Sequence, residues 1–450
     1  MNTAQPAMEQ VQQTREALPS SMRYALGNAD AIASSTTERM FSANNGNSFS
    51  PTGSNEIRIP VSAGEGFLDT AKHYVFFNID LDNTGAAARL DGDISCIINQ
   101  VRIESQGVEL ERLDDYALLH NIKEYYNKSY TDMCLRNGKS GGPTPAVPAF
   151  GCNGHLFAAA DSVANFCVQI DSGFLLGHHK KALPMGMAEF TIVLRLNTAE
   201  VALVHHADAT AFGYTITNAR FFSPVYKIED VNVLNQYKML ASQRGISWSG
   251  DTNKLYMGAL TATTGKQTIQ INDRSLSLKG LITCKRPSAS YQHQRAMTNS
   301  SLNLTGISQY NYQIGGLNYP QVPVDLAINV AATGFNICRA YDQAIKTLAD
   351  PGFAHSEPLQ TQVKFCEDDA GNAVALGQGT EAGQGLLAID LRRFDDERLS
   401  YVGLNTAKNA SPNILELTAT GDMVASTTNT YAICEAEYTM SNQGRLSVVV

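Results

Sequence analysis

The chain has 450 residues, which is more than one ordinary hydrophobic core requires, and two domains of roughly 200 residues each fit the usual size range. Its net charge of −9 argues against a surface that neutralises nucleic-acid phosphates along its whole length. Hydrophobic residues make up 43% and charged residues 17%, so the chain can fill cores while keeping a lightly charged surface, which is common where subunits meet.

The N-terminal 54 residues differ in composition from the rest. A thin apolar stripe with helical spacing runs through Pro6–Leu18, and Ser34–Ser54 is rich in Ser, Thr, Asn and Gly. Such a composition buries too little apolar area to fold alone. We expect residues 1–54 to form a flexible arm that orders on a neighbouring subunit or a lining surface, with a simple disordered tail as the alternative.

From Ile57 onward the hydrophobic period becomes two, which is typical of strands with one face on a core. In Tyr74–Leu81 and Glu189–Leu196, apolar residues alternate with more polar ones. Further strands are predicted at Ile94–Ile103, Ala211–Thr217, Ser277–Lys285, Thr361–Cys366, Asn413–Thr418 and Tyr431–Thr439. Many short strands with turn-rich connections indicate sandwiches or barrels.

Two helices interrupt the strands. The spacing of apolar residues predicts them over Glu111–Tyr126 and Cys338–Ala349, and Asp350-Pro351-Gly352 ends the second. Two core helices are too few for a parallel α/β enzyme, which needs a crossover helix after nearly every strand.

Two long connections, Asn137–Gly154 and Gln292–Pro323, are rich in Gly and Pro or in Gly and Tyr. Connections of this length are usually functional. The polar stretch Tyr237–Asp251, which holds the only tryptophan, Trp248, marks the boundary between halves. We therefore predict one domain over residues 55–238 and a second over residues 239–450.

The two halves follow the same order of elements. In each half, strands lead to one helix, a loop, a strand ending in Ile-Asp, a polar loop and an alternating strand. The Ile-Asp pairs are Ile170-Asp171 and Ile389-Asp390. This order predicts one β-domain used twice.

Eight scattered cysteines without a C-x-x-C spacing do not form a disulfide framework, so we expect free thiols that are mostly buried. The first residues show no basic start followed by an apolar run, and we expect no secretory leader. No apolar stretch approaches the ~18 residues that span a bilayer, so no transmembrane segment is expected.

Several short motifs approach known sites without meeting their requirements. Asp80, Asp82, Thr84, Gly85 and Asp91 nearly match an EF-hand calcium loop, but a strand precedes them, and the final bidentate Glu is missing. A hairpin turn explains the same residues.

The residues Thr264–Gln267 are similar to part of a phosphate-binding loop, but they lack the magnesium-binding Ser/Thr and the strand-to-helix context that such a loop requires. Gly245–Ser249 fails as a nucleophile elbow because Ser249 replaces the second Gly.

Paired histidines and carboxylates also have simpler explanations. Adjacent histidines, at 178–179 and 205–206, point to opposite faces of a strand and cannot easily share one metal ion. Asp114-Asp115 and Asp395-Asp396 fit turns and helix starts. We therefore predict no catalytic, cofactor-binding or metal-ligating residue, no cofactor and no enzymatic activity.

Five segments together resemble the double jelly-roll major capsid proteins, of the polinton-like virus, adintovirus and virophage type. These are Phe166–Asp171 with Ala182–Pro184 and Glu189–Leu196; Val225–Leu240; Gln270–Asp273 with Ser275–Leu281; Gly315–Pro320 with Pro323 and the Cys338–Ala349 helix; and Leu386–Asn405 with Asn413–Thr439. The resemblance runs from about Ile57 to the C-terminus and is a likeness of profile.

The resemblance implies an all-β chain of two consecutive eight-stranded jelly-roll sandwiches with a few short helices. It implies a structural capsid protein that forms homotrimers, each a pseudo-hexameric capsomer, which tile an icosahedral shell around a dsDNA genome. Expected partners are neighbouring capsomers, penton proteins and minor capsid proteins, without tight sequence-specific nucleic-acid binding. The expected location is the virion, after assembly in the host cytoplasm or nucleus.

An alternative is a viral or cellular carbohydrate- or receptor-binding β-sandwich protein, such as a fibre or spike. It requires an aromatic cleft, for which Tyr310, Tyr312 and Tyr319 are the candidates. A glycoside hydrolase made of two sandwiches needs two facing carboxylates about 5–9 Å apart, and no pair in the sequence suggests that role.

Overall fold

A computed structural model provides the fold. It describes residues 34–62, 64, 66–82, 88–91, 94–127, 156–157, 163–177, 182–184, 189–204, 213–229, 235, 239, 243, 245–287, 304, 306–326, 338–348, 385–393, 402–409, 411–421, 423–441 and 445–450.

The described part of the first half consists mainly of strands that alternate between buried and exposed positions. They are β1 (Ser34–Ser42), β2 (Ser48–Phe49), β3 (Glu56–Val61), β4 (Phe67–Leu68), β5 (Tyr74–Asp82), β6 (Ala88–Leu90), β7 (Ile98–Ser105), β8 (Val108–Asp114), β9 (Leu156–Phe157), β10 (Val163–Val168), β11 (Leu183–Pro184), β12 (Phe190–Leu196), β13 (Leu203–Val204) and β14 (Gly213–Ile228).

The second half continues with longer strands. They are β15 (Ile246–Leu260), β16 (Gly265–Ile271), β17 (Leu278–Pro287), β18 (Ile307–Ile314), β19 (Leu317–Asp325), β20 (Leu387–Asp390), β21 (Asn413–Ala419), β22 (Ser426–Met440) and β23 (Leu446–Val449). The α-helices of the described residues are α1 (Tyr116–Asn127), α2 (Gly173–Leu176), α3 (Ala199–Ala202) and α4 (Cys338–Leu348).

The second half has the simpler topology. One sheet has the order β15-β22-β17-β20, and the other has the order β16-β21-β18-β19. When the eight strands β15 to β22 are numbered along the chain, these orders read 1-8-3-6 and 2-7-4-5. Strand β23 adds to β22.

The first half repeats this topology. Its main sheet contains the order β1-β14-β5-β10, and its second sheet has the order β3-β12-β7-β8. Numbering β1, β3, β5, β7, β8, β10, β12 and β14 along the chain again gives 1-8-3-6 and 2-7-4-5. The short strands β2, β4 and β11 extend the main sheet, and β13-β6-β9 form a small third sheet.

This strand order is that of the jelly roll, an eight-stranded sandwich of two Greek keys. All ladders between the described strands are antiparallel. The prediction of two consecutive jelly rolls is therefore confirmed, and the repeated order of elements now has a strand-by-strand basis. We call the sheets of β1–β14 the first roll and those of β15–β23 the second roll.

Two clusters of buried apolar residues fill the rolls, and each includes residues from the other half. The first cluster includes Trp248 and Tyr438 of the second roll. The second includes Leu118, Leu119 and Ile122 of α1. The rolls therefore share a buried contact, which we call the seam.

The structure corrects the expected arm. Within residues 34–54, β1 pairs over its full length with β14, from Ser34 opposite Ile228 to Ser42 opposite Arg220. It is the first strand of the first roll. The amino-acid composition does not reveal this strand, because an edge strand needs few apolar residues when one edge and one face contact water. Residues 1–33 lie outside the described residues.

Other boundaries also moved. The predicted helix over Glu111–Tyr126 begins only at Tyr116, because the residues up to Asp114 pair with β7 in a hairpin. The expected loop Gln292–Pro323 contains β18 and most of β19, joined by a turn at Gly315-Gly316 with φ of 59° and 84°. The second predicted helix is confirmed as α4.

The predicted strand Thr361–Cys366 and the loop Asn137–Gly154 lie outside the described residues. Among the described residues, no helix is long and apolar enough to cross a membrane. The described cysteines are thiols rather than disulfides: Cys96, Cys284 and Cys434 are buried, and Cys167 is half-buried.

Candidate functional site at the seam between the rolls

An aromatic cluster forms one end of the seam. Phe174 lies on α2, and its ring meets Trp248 and Tyr438 of the second roll edge-on, with centroid distances of 5.4 and 5.3 Å. The Trp248 indole N–H donates to the Phe174 carbonyl oxygen at 3.3 Å. Since Phe174 also packs on Phe190 of β12 at 5.1 Å, the cluster joins both rolls.

A buried carboxylate positions α2. Glu111 on β8 accepts hydrogen bonds from the backbone N–H groups of Gly173 and Phe174 at 3.0 and 3.1 Å, and from the Ser172 hydroxyl. Burial raises the pKa of Glu111, although these hydrogen bonds oppose the rise. Burial also raises the pKa of Tyr438, and the nearby Glu111 adds to that rise.

Two glycines allow the backbones of the rolls to touch. A methyl group on Gly250 of β15 would meet the Gly173 carbonyl oxygen and lie 2.7 Å from its carbonyl carbon. A methyl group on Gly173 would lie 2.6 Å from the Asp251 carbonyl oxygen. Any larger residue at either position would push the rolls apart.

Helix α1 forms the other end of the seam. Its apolar residues Leu118, Leu119 and Ile122 lie in the core of the second roll. Just before α1, the Asp115 carboxylate pairs with Arg286 of β17 at 3.1 Å, and both side chains are buried or nearly so. The Tyr431 hydroxyl donates to the Asp115 carbonyl oxygen at 3.2 Å.

Ion pairs border the seam. Lys123 of α1 contacts Asp171 at 2.8 Å, and Lys279 contacts Asp251 of β15 at 2.8 Å. Because these pairs are partly exposed, they contribute orientation more than stability.

Little of this arrangement is predictable from the sequence. The sequence places Trp248 at the boundary between halves without indicating a role, and its apolar spacing assigns Glu111 to a helix, whereas Glu111 lies in β8. The available signals were a lone tryptophan at a boundary and a Ser172-Gly173 helix start. Ser172 does cap α2, because its Oγ accepts from the Leu175 N–H at 3.4 Å.

The short motifs that approach known phosphate-binding or catalytic sites have structural roles where the structure describes them. Lys266 and Gln267 belong to the β15–β16 hairpin, where the Gln267 amide donates to the Thr261 and Thr263 carbonyl oxygens at 2.9 and 2.7 Å. Ser249 is buried within β15. Asp114 pairs with Arg112 at 2.9 Å.

The candidate metal-binding residues are described only in part. Asp80 and Asp82 lie on the extended strand β5, and Asp91 is buried, while Thr84 and Gly85 lie outside the described residues. Both histidine pairs and Asp395-Asp396 also lie outside them. In the described ranges, no three His, Cys, Asp or Glu side chains come together in a way that could hold a metal ion.

The tyrosines of the alternative function face the interior. Tyr310 and Tyr312 are buried, and their hydroxyls donate to the Ala388 and Leu387 carbonyl oxygens at 3.1 Å. Burial raises the pKa of both hydroxyls. Tyr319 is half-buried. Tyr310 and Tyr312 thus hold the second core together and cannot line a sugar-binding cleft.

No protein-family model and no curated protein sequence matches the chain. Solved structures do. The Sputnik virophage structure from cryo-EM matches with a TM-score of 0.56 and 12% identity, over 100% of this chain and 93% of that one. The mavirus major capsid protein matches with a TM-score of 0.51 and 11% identity, over 100% and 97%.

The VP54 protein of PBCV-1, fitted into a Sputnik reconstruction, matches with a TM-score of 0.60 and 11% identity, over 95% of this chain and 99% of that one. Identities this low establish the fold. Together with the strand order of the two rolls, they establish that this chain has the double jelly-roll fold of viral major capsid proteins.

Proposed function

We propose that this chain is a structural building block of a viral capsid. The observation that carries the proposal is that one chain holds two jelly rolls of identical strand order, fixed to each other by a buried seam. A rigid pair of similar rolls in one chain allows a few chains to form a capsomer with pseudo-sixfold symmetry, which a shell can use as its repeating unit. The likeness in fold to viral capsid proteins supports the same function.

In this proposal, three chains form a homotrimer in which six rolls surround a threefold axis. Contacts that run head to tail around that axis close the ring. Such pseudo-hexameric capsomers tile an icosahedral shell around a dsDNA genome and meet neighbouring capsomers, penton proteins and minor capsid proteins. The chain acts in the virion and carries out no catalysis.

The proposed domain division follows the same argument. We infer that the boundary between rolls lies near residue 238 and that the first roll extends back to Ser34, since β1 supplies its first strand. An N-terminal arm is then confined to residues 1–33.

The test is the mass and shape of the purified protein. Light scattering should give the mass of three chains, and negative-stain images should show pseudo-hexagonal particles about 75 Å wide. A monomer at every concentration, or a compact monomer that binds a glycan, would contradict the proposal.

A further inference from the structure

The backbone that enters α2 is held by side chains of the first roll. We call Ile170–Phe174 the entry segment, since it leads into the helix whose phenylalanine packs in the seam. Its first N–H, from Ile170, donates to Nε2 of His73 at 3.0 Å, and its second donates to the Tyr116 hydroxyl at 2.8 Å. Its last two N–H groups donate to Glu111. These side chains therefore fix where α2 meets the second roll.

The His73 ring is buried, and its hydrogen-bond partners assign its protons. It follows the short turn Thr70–Lys72 and stacks on Phe221 of β14, with 5.4 Å between ring centroids. Its Nδ1 is hydrogen-bonded to the Thr70 carbonyl oxygen, which can only accept, so Nδ1 carries a proton. Its Nε2 accepts from the Ile170 N–H and therefore carries none. The ring is thus neutral in this arrangement.

Protonation of His73 is incompatible with this pair of hydrogen bonds. The proton would go to Nε2, which would then be a donor without a lone pair. The Ile170 N–H would face another N–H, so the bond would be lost and the two groups would repel each other. Histidine ordinarily takes up a proton near pH 6.5, so mild acid is enough to drive this change.

The carboxylates beside this hydrogen bond have partners of their own. Asp69, at the start of the turn, accepts from the Tyr226 hydroxyl of β14 at 2.7 Å and pairs with Lys72 at 3.2 Å. Asp171, in the entry segment, pairs with Lys123 of α1 at 2.8 Å. The charges that these elements bring near the ring are therefore two ion pairs, each with one negative and one positive group.

Two other titratable groups next to the entry segment respond differently to acid. His120 of α1 lies with its Nδ1 3.4 Å from the Tyr116 hydroxyl, and this contact survives protonation because a hydroxyl can accept as well as donate. Burial raises the pKa of Glu111, so its contribution to stability grows as pH falls. Of these three groups, His73 is the one whose protonation removes a hydrogen bond to the entry segment.

We propose that His73 is an acid-sensitive latch: a proton on its Nε2 releases Ile170, loosens the entry segment and opens the seam at Phe174. This inference concerns the folded chain and goes beyond the proposed function. Its consequence for a capsid does rest on that function: in an acidic compartment, the two rolls of each chain would be less firmly held together, and the shell would soften without any cleavage.

Hydrogen–deuterium exchange of the full chain tests the latch. It is measured by mass spectrometry at about pH 7.5 and about pH 5.5, on either side of the usual pKa of histidine, and corrected for the intrinsic exchange rate. Peptides that span the entry segment should exchange about fivefold faster or more at the lower pH, as expected for the loss of one buried hydrogen bond. Trp248 emission should shift to longer wavelength over the same range, since its indole donates to the Phe174 carbonyl oxygen. Peptides from β21 should keep their rate.

Two matched variants separate His73 from the other titratable groups. His73→Gln supplies an amide oxygen that can accept the Ile170 N–H and does not titrate, so this variant should lose the acid response of the entry segment. His120→Gln removes the other described histidine beside the entry segment and should keep the full response. Because Glu111 is unchanged in both variants, its opposite dependence on pH cancels in the comparison.

The outcomes decide the proposal even if His73→Gln does not fold. In the unmodified chain, faster exchange at low pH that is confined to the entry segment and the seam supports the latch. Equal exchange at both pH values overturns it, and so does a loss of protection spread evenly over both rolls, which is general acid unfolding. A folded His73→Gln variant with an unchanged acid response also overturns it. None of these results alters the mass of the assembled protein, so the capsid proposal is tested separately.

Discussion

Replacing Gly250 by alanine should open the seam. The added methyl group would lie 2.7 Å from the Gly173 carbonyl carbon and 2.9 Å from its Cα, and would overlap the carbonyl oxygen. All three atoms belong to backbone and cannot rotate away. Since carbon atoms pack at about 3.5–4.0 Å, β15 and α2 must separate by about 1 Å.

The cost can be worked from the contacts that this shift disturbs. Overpacking of this kind costs about 1–3 kcal/mol. The separation also lengthens the hydrogen bonds from Gly173 and Phe174 to Glu111, and each such bond contributes about 1 kcal/mol or more. We therefore expect a loss of about 3 kcal/mol, which is about 1 M in the urea midpoint at a slope of about 3 kcal/mol/M.

The chain provides its own probe, because its single tryptophan lies two residues from the substitution. Trp248 is buried, so its emission is expected at short wavelength and should shift to longer wavelength when water enters the seam. Gly421→Ala is the matched control, because a methyl group there meets nothing within 4 Å. If Gly250→Ala keeps both the emission and the urea midpoint of the unmodified chain, the proposed close approach of the backbones is refuted.

Three further results are expected. Because burial raises the pKa of Glu111, the folded chain keeps this carboxyl proton to a higher pH than the unfolded chain does, so the stabilisation from Glu111 should fall as pH rises above about 4.3. The difference in urea midpoint between the unmodified chain and Glu111→Gln should therefore change with pH, and a constant difference would contradict the burial. Asp115→Ala should cost the second roll about 3–5 kcal/mol in thermal or urea unfolding, because buried Arg286 loses its carboxylate, and adding Arg286→Met should recover much of that loss; a neutral single variant would count against the pair. Removing residues 1–42 should lower the melting temperature of the first roll far more than removing residues 1–33, since only the longer deletion takes away β1, and equal melting temperatures would restore the original prediction of a longer arm.

Sequence reasoning reached the elements whose signal is local. Strand β21 alternates cleanly because one face packs on a core, β12 does so except at buried Val193, and α4 has an apolar stripe with a Pro-Gly stop behind it. The repeated order of elements, anchored by Ile170-Asp171 and Ile389-Asp390, corresponds to two rolls of the same topology.

The missed features depend on distant partners. Strand β1 carries few apolar residues, and only its pairing with β14 marks it as a strand. Glu111 continues a helical pattern in sequence, yet the β7–β8 hairpin holds it in a strand. Gly250 meets Gly173 across 77 positions of sequence, and no local period reports such a contact.

The placement of α1 in the opposite core bears on how the chain is made. Synthesis runs from the N-terminus, so α1 leaves the ribosome before any strand of the second roll exists. Its apolar residues Leu118, Leu119 and Ile122 must wait for the sheet they will cover. The first roll therefore emerges with the apolar residues of α1 still uncovered, and the sheet of the second roll forms against these residues. The order of translation thereby favours pairing between rolls of the same chain over exchange with a neighbour.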